Sequence, residues 1–271
     1  MQVSDQAIAA RALLRWYVDA GVDEAVAAHP VNQFEQSAQA ARPDPAPKLG
    51  SPSPLKAPVA LIAASSHPGA DEATALAASA AGACATHQEL AEAVASFAAC
   101  PLRAGARNTV FADGVPGADL LVIGEAPGRD EDAIGKPFVG RAGQLLDKML
   151  AAIGRSRTQN TLISNVVYWR PPGNRAPTQE EIAICRPFVE RLIELTAPKA
   201  IMLAGGVPTQ AMTGAAGIMR ARGNWRDITL QSGARYPALP LFHPAFLLRQ
   251  PAQKRLAWTD LQSLAARLRD A

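Results

Sequence analysis

"DLLVIGEAPG", residues 119–128, decides the fold. Four apolar residues in a row, Leu120 to Ile123, with no polar alternation, make a strand buried on both faces. The run breaks at once into a Gly/Pro turn, where a chain leaving a sheet edge must bend. Downstream the pattern repeats. "AGQLLDKMLAAIG" (142–154) has the apolar spacing of an amphipathic helix, and "TLISNVV" (161–167) reads as a strand. "TQEEIAICRPFVERLIEL" (178–195) is a helix that Thr178 and Glu181 start as a capping box, and "KAIMLAG" (199–205) is another strand. "VPTQAMTG" (207–214) reads as a short helix, "ITL" (228–230) and "LPLF" (239–242) as strands, and "QKRLAWTDLQSLAARLRD" (253–270) as a closing helix. Strands alternating with helices predict an α/β fold, a parallel sheet covered on both faces. Ligands of such sheets sit at the carboxyl ends of the strands.

Upstream the composition is different. Residues 5–20 place Ile8, Ala12 and Trp16 at four-residue steps, which predicts a short helix within an N-terminal segment 1–28. Residues 29–85 read as a linker rich in Pro and Ala, with eight of the 22 prolines between 30 and 68. An Ala-rich stretch at 71–83 is compatible with a helix inside it. "THQELAEAVASF" (86–97) opens the expected folded domain, 86–271, with a second capping box at Thr86 and Glu89.

The bulk numbers narrow the function. Apolar runs such as "VALIAA" (59–64) are far too short to span a bilayer, and "MQVSDQAIAA" lacks the basic start of a signal peptide. Three widely spaced cysteines do not make a disulfide framework, so a reducing, cytoplasmic setting is expected. Residues 1–100 carry five basic and ten acidic side chains, whereas 101–271 carry 22 and 14. The basic second part suits a polyanionic partner.

Three polar motifs follow strands. "GEAPGRDEDAIGKPFVGRAG" (124–143) lacks the spacing of a dinucleotide fingerprint, but its glycines let a ligand approach the backbone. It crowds Glu125, Asp130, Glu131 and Asp132 into one loop and sets Phe138 after Pro137, where a ring serves stacking. "NVVYWRPPGNR" (165–175) ends a strand in two aromatics and a stiff basic turn. "LFHPAFLLRQP" (241–251) puts His243 directly after a strand, with apolar Phe246, Leu247 and Leu248 ahead of Arg249.

Together with "CPLRAGARNTVFADG" (100–114), these segments resemble the uracil-DNA glycosylase superfamily, and within it the fourth family. The resemblance covers about 95–270 and leaves 1–85 outside it. It implies a three-layer α/β/α sandwich around a four-stranded parallel sheet. It implies a base-excision-repair hydrolase that cleaves the glycosidic bond of a flipped uracil in DNA and leaves an abasic site. Gly124 and Ala126 would line the base pocket, Phe138 would stack on uracil, and Asn165 would read its edge, accepting from N3–H and donating to O4. His243 would donate to O2, where charge grows as the bond breaks. Ala126 stands where some families of the superfamily carry an acid, so Glu125 or an acid among 130–132 would orient water; Glu131 is expected as a wall against the thymine methyl. Leu247 would fill the hole left by the flipped base, and Arg170, Arg175 and Arg249 would face phosphates. No lysine but Lys136 lies in these loops, which favours a monofunctional enzyme; a monomer is expected. A uracil-DNA-binding or damage-sensing protein with little turnover is the alternative.

The same resemblance implies four cysteine ligands for an iron–sulfur cluster. Cys100 and Cys185 fill two of the positions, but Phe97 and Trp169 stand at the others. Four thiolates hold such a cluster, so no cluster, and no other metal, is expected. The Cys84/His87 pair, weighed as a substitute, is set aside because Thr86 between them already caps a helix.

Overall fold

The computed structural model describes residues 69–270. The helix expected within 1–28 and the linker as far as residue 68 lie outside the described residues. The elements in chain order are α1 (Ala70–Gly82), α2 (His87–Ser96), β1 (Ala112–Gly114), β2 (Leu120–Gly124), α3 (Arg129–Ile134), α4 (Arg141–Ala151), β3 (Thr161–Asn165), α5 (Gln179–Thr196), β4 (Ala200–Ala204), α6 (Gly206–Thr213), α7 (Ile218–Ala221), β5 (Arg226–Thr229), β6 (Arg235–Leu241), α8 (Pro244–Arg249) and α9 (Lys254–Asp270). No described helix is long and apolar enough to cross a membrane.

The α/β expectation holds, with one correction to the strand count. The sheet has six strands in the order β1-β3-β2-β4-β6-β5. The four expected parallel strands form its centre, and β1 and β5 add antiparallel edges. Those edges are poor apolar signals: β1 is only "ADG", and β5 buries Ile228 alone.

The central strands read as unbroken apolar runs because both faces are covered. Along β2, Leu121 and Ile123 join a core with α1, α2 and α5, including Leu90, Val94, Phe188 and Leu192. Leu120 and Val122 point the other way, to a core with Leu146 and Leu150 of α4 and Leu261 and Leu264 of α9. Successive strand residues face opposite sides, so one short strand feeds two cores.

The folded unit starts ahead of residue 86. Helix α1 lies within the expected linker, yet Ala73, Ala77 and Ala81, at four-residue steps, are buried against α5. Methyl side chains at that spacing let two helices approach closely. Arg191 of α5 then fastens the α1–α2 turn by donating from Nε and Nη2 to the Cys84 carbonyl at 2.9 and 2.7 Å. Both expected capping boxes are formed, at Thr86–Glu89 and Thr178–Glu181.

Trp169 is the largest fully buried side chain. Its Nε1 donates to Thr109 Oγ1 at 3.0 Å, and its ring meets Tyr168 edge-on at 6.1 Å between centroids. Phe97 packs edge-on against Phe188 at 5.1 Å. These rings join residues 97–110, the chain after β3 and helix α5 into one wall. Trp169→Ala is expected to destabilise the fold by about 3–5 kcal/mol, the usual cost of emptying a packed aromatic site; urea denaturation with an unchanged m-value measures it.

Candidate active site

The parallel strands all end at one edge of the sheet. Gly124 is in register with Asn165 across the β2–β3 pair, and β6 runs out two residues before His243. A cleft of about 560 Å³ opens there. Glu125, Ala126, Glu131, Phe138, Asn165 and His243 all line it, from three motifs far apart in sequence; Arg175 and Arg249 line it as well.

Two absent Cβ atoms shape the floor. A Cβ on Gly124 would overlap the Phe138 ring and the Asn165 Oδ1, so only glycine lets both lie across the strand end. A Cβ on Gly143, in the first turn of α4, would collide with the backbone carbonyl of Phe138. Phe138 itself has φ +54°, in the left-handed region that a bulky side chain rarely adopts. Its ring is buried and stacks toward His243, with centroids 5.6 Å apart and planes at 29°.

Asn165 is 2% exposed, and its Nδ2 has no hydrogen-bond partner. A buried donor left open costs about 1–3 kcal/mol unless something completes it. Asn165 is one of the residues that line the cleft.

His243 caps α8. Its Nδ1 accepts from the Ala245 amide at 3.1 Å. That bond places a lone pair on Nδ1 and leaves Nε2 as the N–H donor of the neutral ring. Burial, reinforced by the Arg249 charge and opposed by Glu131, lowers its pKa to about 4. The ring is therefore a neutral donor at pH 7.

The four acids of the first motif separate by function. Glu131 is not a free wall. Its carboxylate accepts from the amides of Gly128 at 3.1 Å and of Val139 and Gly140 at 3.0 Å each. It clamps the Phe138 loop to the start of α3. Asp132 accepts from the Arg107 and Asn108 amides, and Asp130 is exposed beside Arg129. That leaves Glu125, half-buried in the cleft, with a pKa raised by desolvation.

Two expectations for the rim are corrected. Leu247 is 1% exposed and packs in the core that α4 and α9 share. Helix α8 starts at Pro244, so Pro244 and Leu247 share its inward face, while Leu248, 38% exposed, faces out. Arg170 does not line the cleft. It donates from Nε to Asn174 Oδ1 at 2.6 Å and braces that residue, which has φ +55° and does line it. Arg175 stays on the lining, paired through both terminal nitrogens with the Glu181 carboxylate. Arg249 is exposed there. Two residues at or behind the cleft carry no sequence signal: Asn174, a loop residue on the lining, and Arg157, whose guanidinium holds the Phe138 carbonyl from outside the cleft. One of two arginines in "GRSRTQN" (154–160), Arg157 has no motif to betray it.

A family model described as the uracil DNA glycosylase superfamily matches residues 111–262. A type-4 uracil-DNA glycosylase of Thermotoga maritima is 36% identical over 185 residues, 65% of this chain and 94% of that protein. One from Sulfurisphaera tokodaii is 33% identical over 186 residues, 65% of this chain and 82% of that protein. One from Pyrobaculum aerophilum is 35% identical over 178 residues, covering 64% and 90%.

These relatives overturn the expectation of a protein without a cluster, because they are type-4 enzymes, the cluster-bearing family of the resemblance. Toward such a group the described residues bring two thiols together. A hydrogen bond between Cys100 and Cys185 lowers the first and, with burial, holds the second well above the usual thiol range. Phe97 and Trp169 beside them do not complete a four-thiolate set, and Cys84 is bonded instead to the Ala80 carbonyl at 3.2 Å. The chemistry of the cleft is accordingly derived from its own side chains. With the motifs converging on one cleft, the family model covering more than half of the chain, and these relatives covered over most of their length, the chain belongs to the uracil DNA glycosylase superfamily.

Proposed function

We propose that the protein excises uracil from DNA by hydrolysing its N-glycosidic bond. The observation that carries this reading is the unpartnered, buried Nδ2 of Asn165, a residue that lines the cleft together with Phe138 and a neutral histidine. Uracil offers O4 as acceptor and N3–H as donor, the pair that one carboxamide completes. Cytosine reverses both, and would leave the buried amide unpaired. Phe138 supplies the face on which the extruded base stacks, which offsets the few kcal/mol needed to flip it.

As the bond from C1′ to N1 breaks, its electron pair moves onto the base and its charge spreads to O2. His243, neutral with a proton on Nε2, donates to that oxygen without having to lose a proton first. Oriented donors at developing charge are usually the largest catalytic contribution. The oxocarbenium-like sugar takes a water at C1′, and the water's proton goes to solvent. Glu125 is the acid suited to orient that water, since Glu131 is spent on backbone amides. Arg175 and Arg249 line the cleft where phosphates would lie. Leu248, exposed beside Arg249, takes over from Leu247 as the residue that fills the vacated stack. Action as a monomer in the cytoplasm belongs to the same proposal, and three cysteines without a disulfide suit that compartment.

Multiple-turnover release of free uracil from a uracil-containing oligonucleotide tests the reading. His243→Gln and Asn165→Ala should each slow single-turnover release by about 10²–10³ while the protein stays folded. Borohydride should trap no enzyme–DNA imine, since catalysis uses no amine nucleophile. A binding or sensing protein would retain uracil-DNA and release nothing.

The histidine gives a second expectation. In the unfolded chain it titrates near 6.5, and in the fold near 4. Between those values the unfolded state binds more protons, so the contribution of His243 to stability is complete above pH 6.5 and is lost as the pH falls toward 4. The His243 ring resonance in NMR should hold its neutral shift at pH 5. The pH slope of unfolding between 6.5 and 4 should shrink in His243→Gln by the equivalent of one proton.

A further inference from the structure

Phe138 carries the stacking surface on a backbone that does not favour holding it. Its φ of +54° is unusual for an aromatic residue, and strained backbone persists only where the surroundings fix it. Gly143 gives the Phe138 carbonyl room against α4 but does not aim it. Arg157 does. From the loop after α4, its Nη1 donates to the Pro137 carbonyl at 3.0 Å and its Nη2 to the Phe138 carbonyl at 2.8 Å. Two consecutive carbonyls held by one planar fork cannot turn independently.

The fork is itself held rigid. Nη1 also donates to Asp113 Oδ2 at 2.9 Å, and Nε and Nη2 both approach Asp147 Oδ1, at 2.9 and 2.8 Å. Four N–H groups of the guanidinium are hydrogen-bonded, and Nη2 also forms an ion pair with Asp147. Its side chain is 15% exposed, and the pair with Asp113 is shielded from water, whereas Asp147 is half open to solvent. Asp113 lies on edge strand β1 and also pairs with Lys136 at 3.1 Å. Burial alone would raise the Asp113 carboxyl; the hydrogen bonds from Arg157 and Lys136 outweigh it and hold it low. Asp147 lies on α4. The fork is thus braced by the sheet edge and by the helix whose first turn contains Gly143. Arg157 does not line the cleft.

We propose that Arg157 is a positioning residue for uracil excision, a latch that sets the Phe138 ring by fixing the 137–138 carbonyls. The latch rests on the glycosylase reading above. A ring displaced by about 1 Å is enough to cost on the order of 100-fold in rate, so the effect belongs in base recognition as well as in stability.

A double-mutant cycle separates the two. Wild type, Arg157→Met, Phe138→Ala and the double variant are compared for inhibition by free uracil and for single-turnover cleavage of a uracil-containing oligonucleotide. Arg157→Met should weaken inhibition about tenfold, the equivalent of one hydrogen bond to a charged group, and slow cleavage by up to about 100-fold. In the Phe138→Ala background the same change should alter either quantity less than about twofold, because a latch acts only through the ring it sets. Effects that simply multiply overturn the latch and leave Arg157 a structural residue. Arg157→Lys keeps the ion pairs but cannot span two carbonyls, so it should fall between Met and wild type; full wild-type behaviour in Arg157→Lys also overturns the proposal. If Arg157→Met does not fold, the cycle is read with Arg157→Lys in its place. A wild-type chain that releases no uracil refutes the glycosylase reading, and the latch with it; an active enzyme with a multiplicative cycle refutes the latch alone.

Discussion

The cleft depends on one steric constraint, the space left by two missing Cβ atoms around the backbone and ring of Phe138. Gly124 ends the central strand and admits the ring; Gly143 begins a helix and admits the carbonyl. A methyl at either place would push Phe138 away from Asn165 and His243. The strand and the helix pack against each other in one core, so the loop between them must conform to both. Glu131 and Arg157 then hold that loop from its two ends, one through three amides, the other through two carbonyls. The arrangement is preorganised before any substrate arrives, which is where oriented groups gain their catalytic advantage.

The electrostatics of the cleft divide the work among unlike groups. Burial keeps His243 neutral and Glu125 easier to protonate, since desolvation disfavours the charged form of each. Asn165 adds polarity without charge. The permanent charges stand at the rim, on Arg175 and Arg249, where water still screens them. Such a site suits a neutral base inside and a polyanion outside. A second constraint follows: the proposed donor on His243 Nε2 requires Nδ1 to keep the Ala245 amide, so the start of α8 and the proposed chemistry share one hydrogen bond.

Much of this was legible in the sequence. The central strands announced themselves as apolar runs because two cores cover them, and the motif residues converge because parallel strands end together. The errors have physical causes. The phase of α8 depends on where it starts, and placing Leu247 on the inward face requires knowing that His243 caps the helix and Pro244 opens it. Glu131 was read as a wall because an acid in a loop looks free until its backbone partners, up to nine residues away, are seen. Arg157 was invisible because its partners lie 10 to 44 residues off. Helix α1 was assigned to the linker because alanine signals helix but not burial; only the neighbouring surface of α5 turns Ala73, Ala77 and Ala81 into a core. Edge strand β1 leaves no sequence signal because three partly buried residues carry no period, whereas β5 overlaps the strand expected at 228–230.

The α5 face of the sheet also reaches into the cleft, and it does so through a single carboxylate. Glu181 is the third residue of α5, where its side chain accepts from the Thr178 amide and satisfies a donor that the helix cannot. The same carboxylate grips Arg175, whose hydrogen bond leads the lowering of its pKa. A depressed carboxyl of this kind contributes stability above its unfolded value and loses it as the pH falls through the folded one. The helix start and the rim arginine are therefore coupled: protonating Glu181 weakens the cap and frees Arg175 together. The stiff Pro171–Pro172 turn spans the gap between this anchor and Trp169, buried at the other end of the loop. Pinned at both ends, the loop presents Asn174 and Arg175 to the cleft without freedom to withdraw them, and this explains why the largest side chain of the core stands just ahead of so polar a turn.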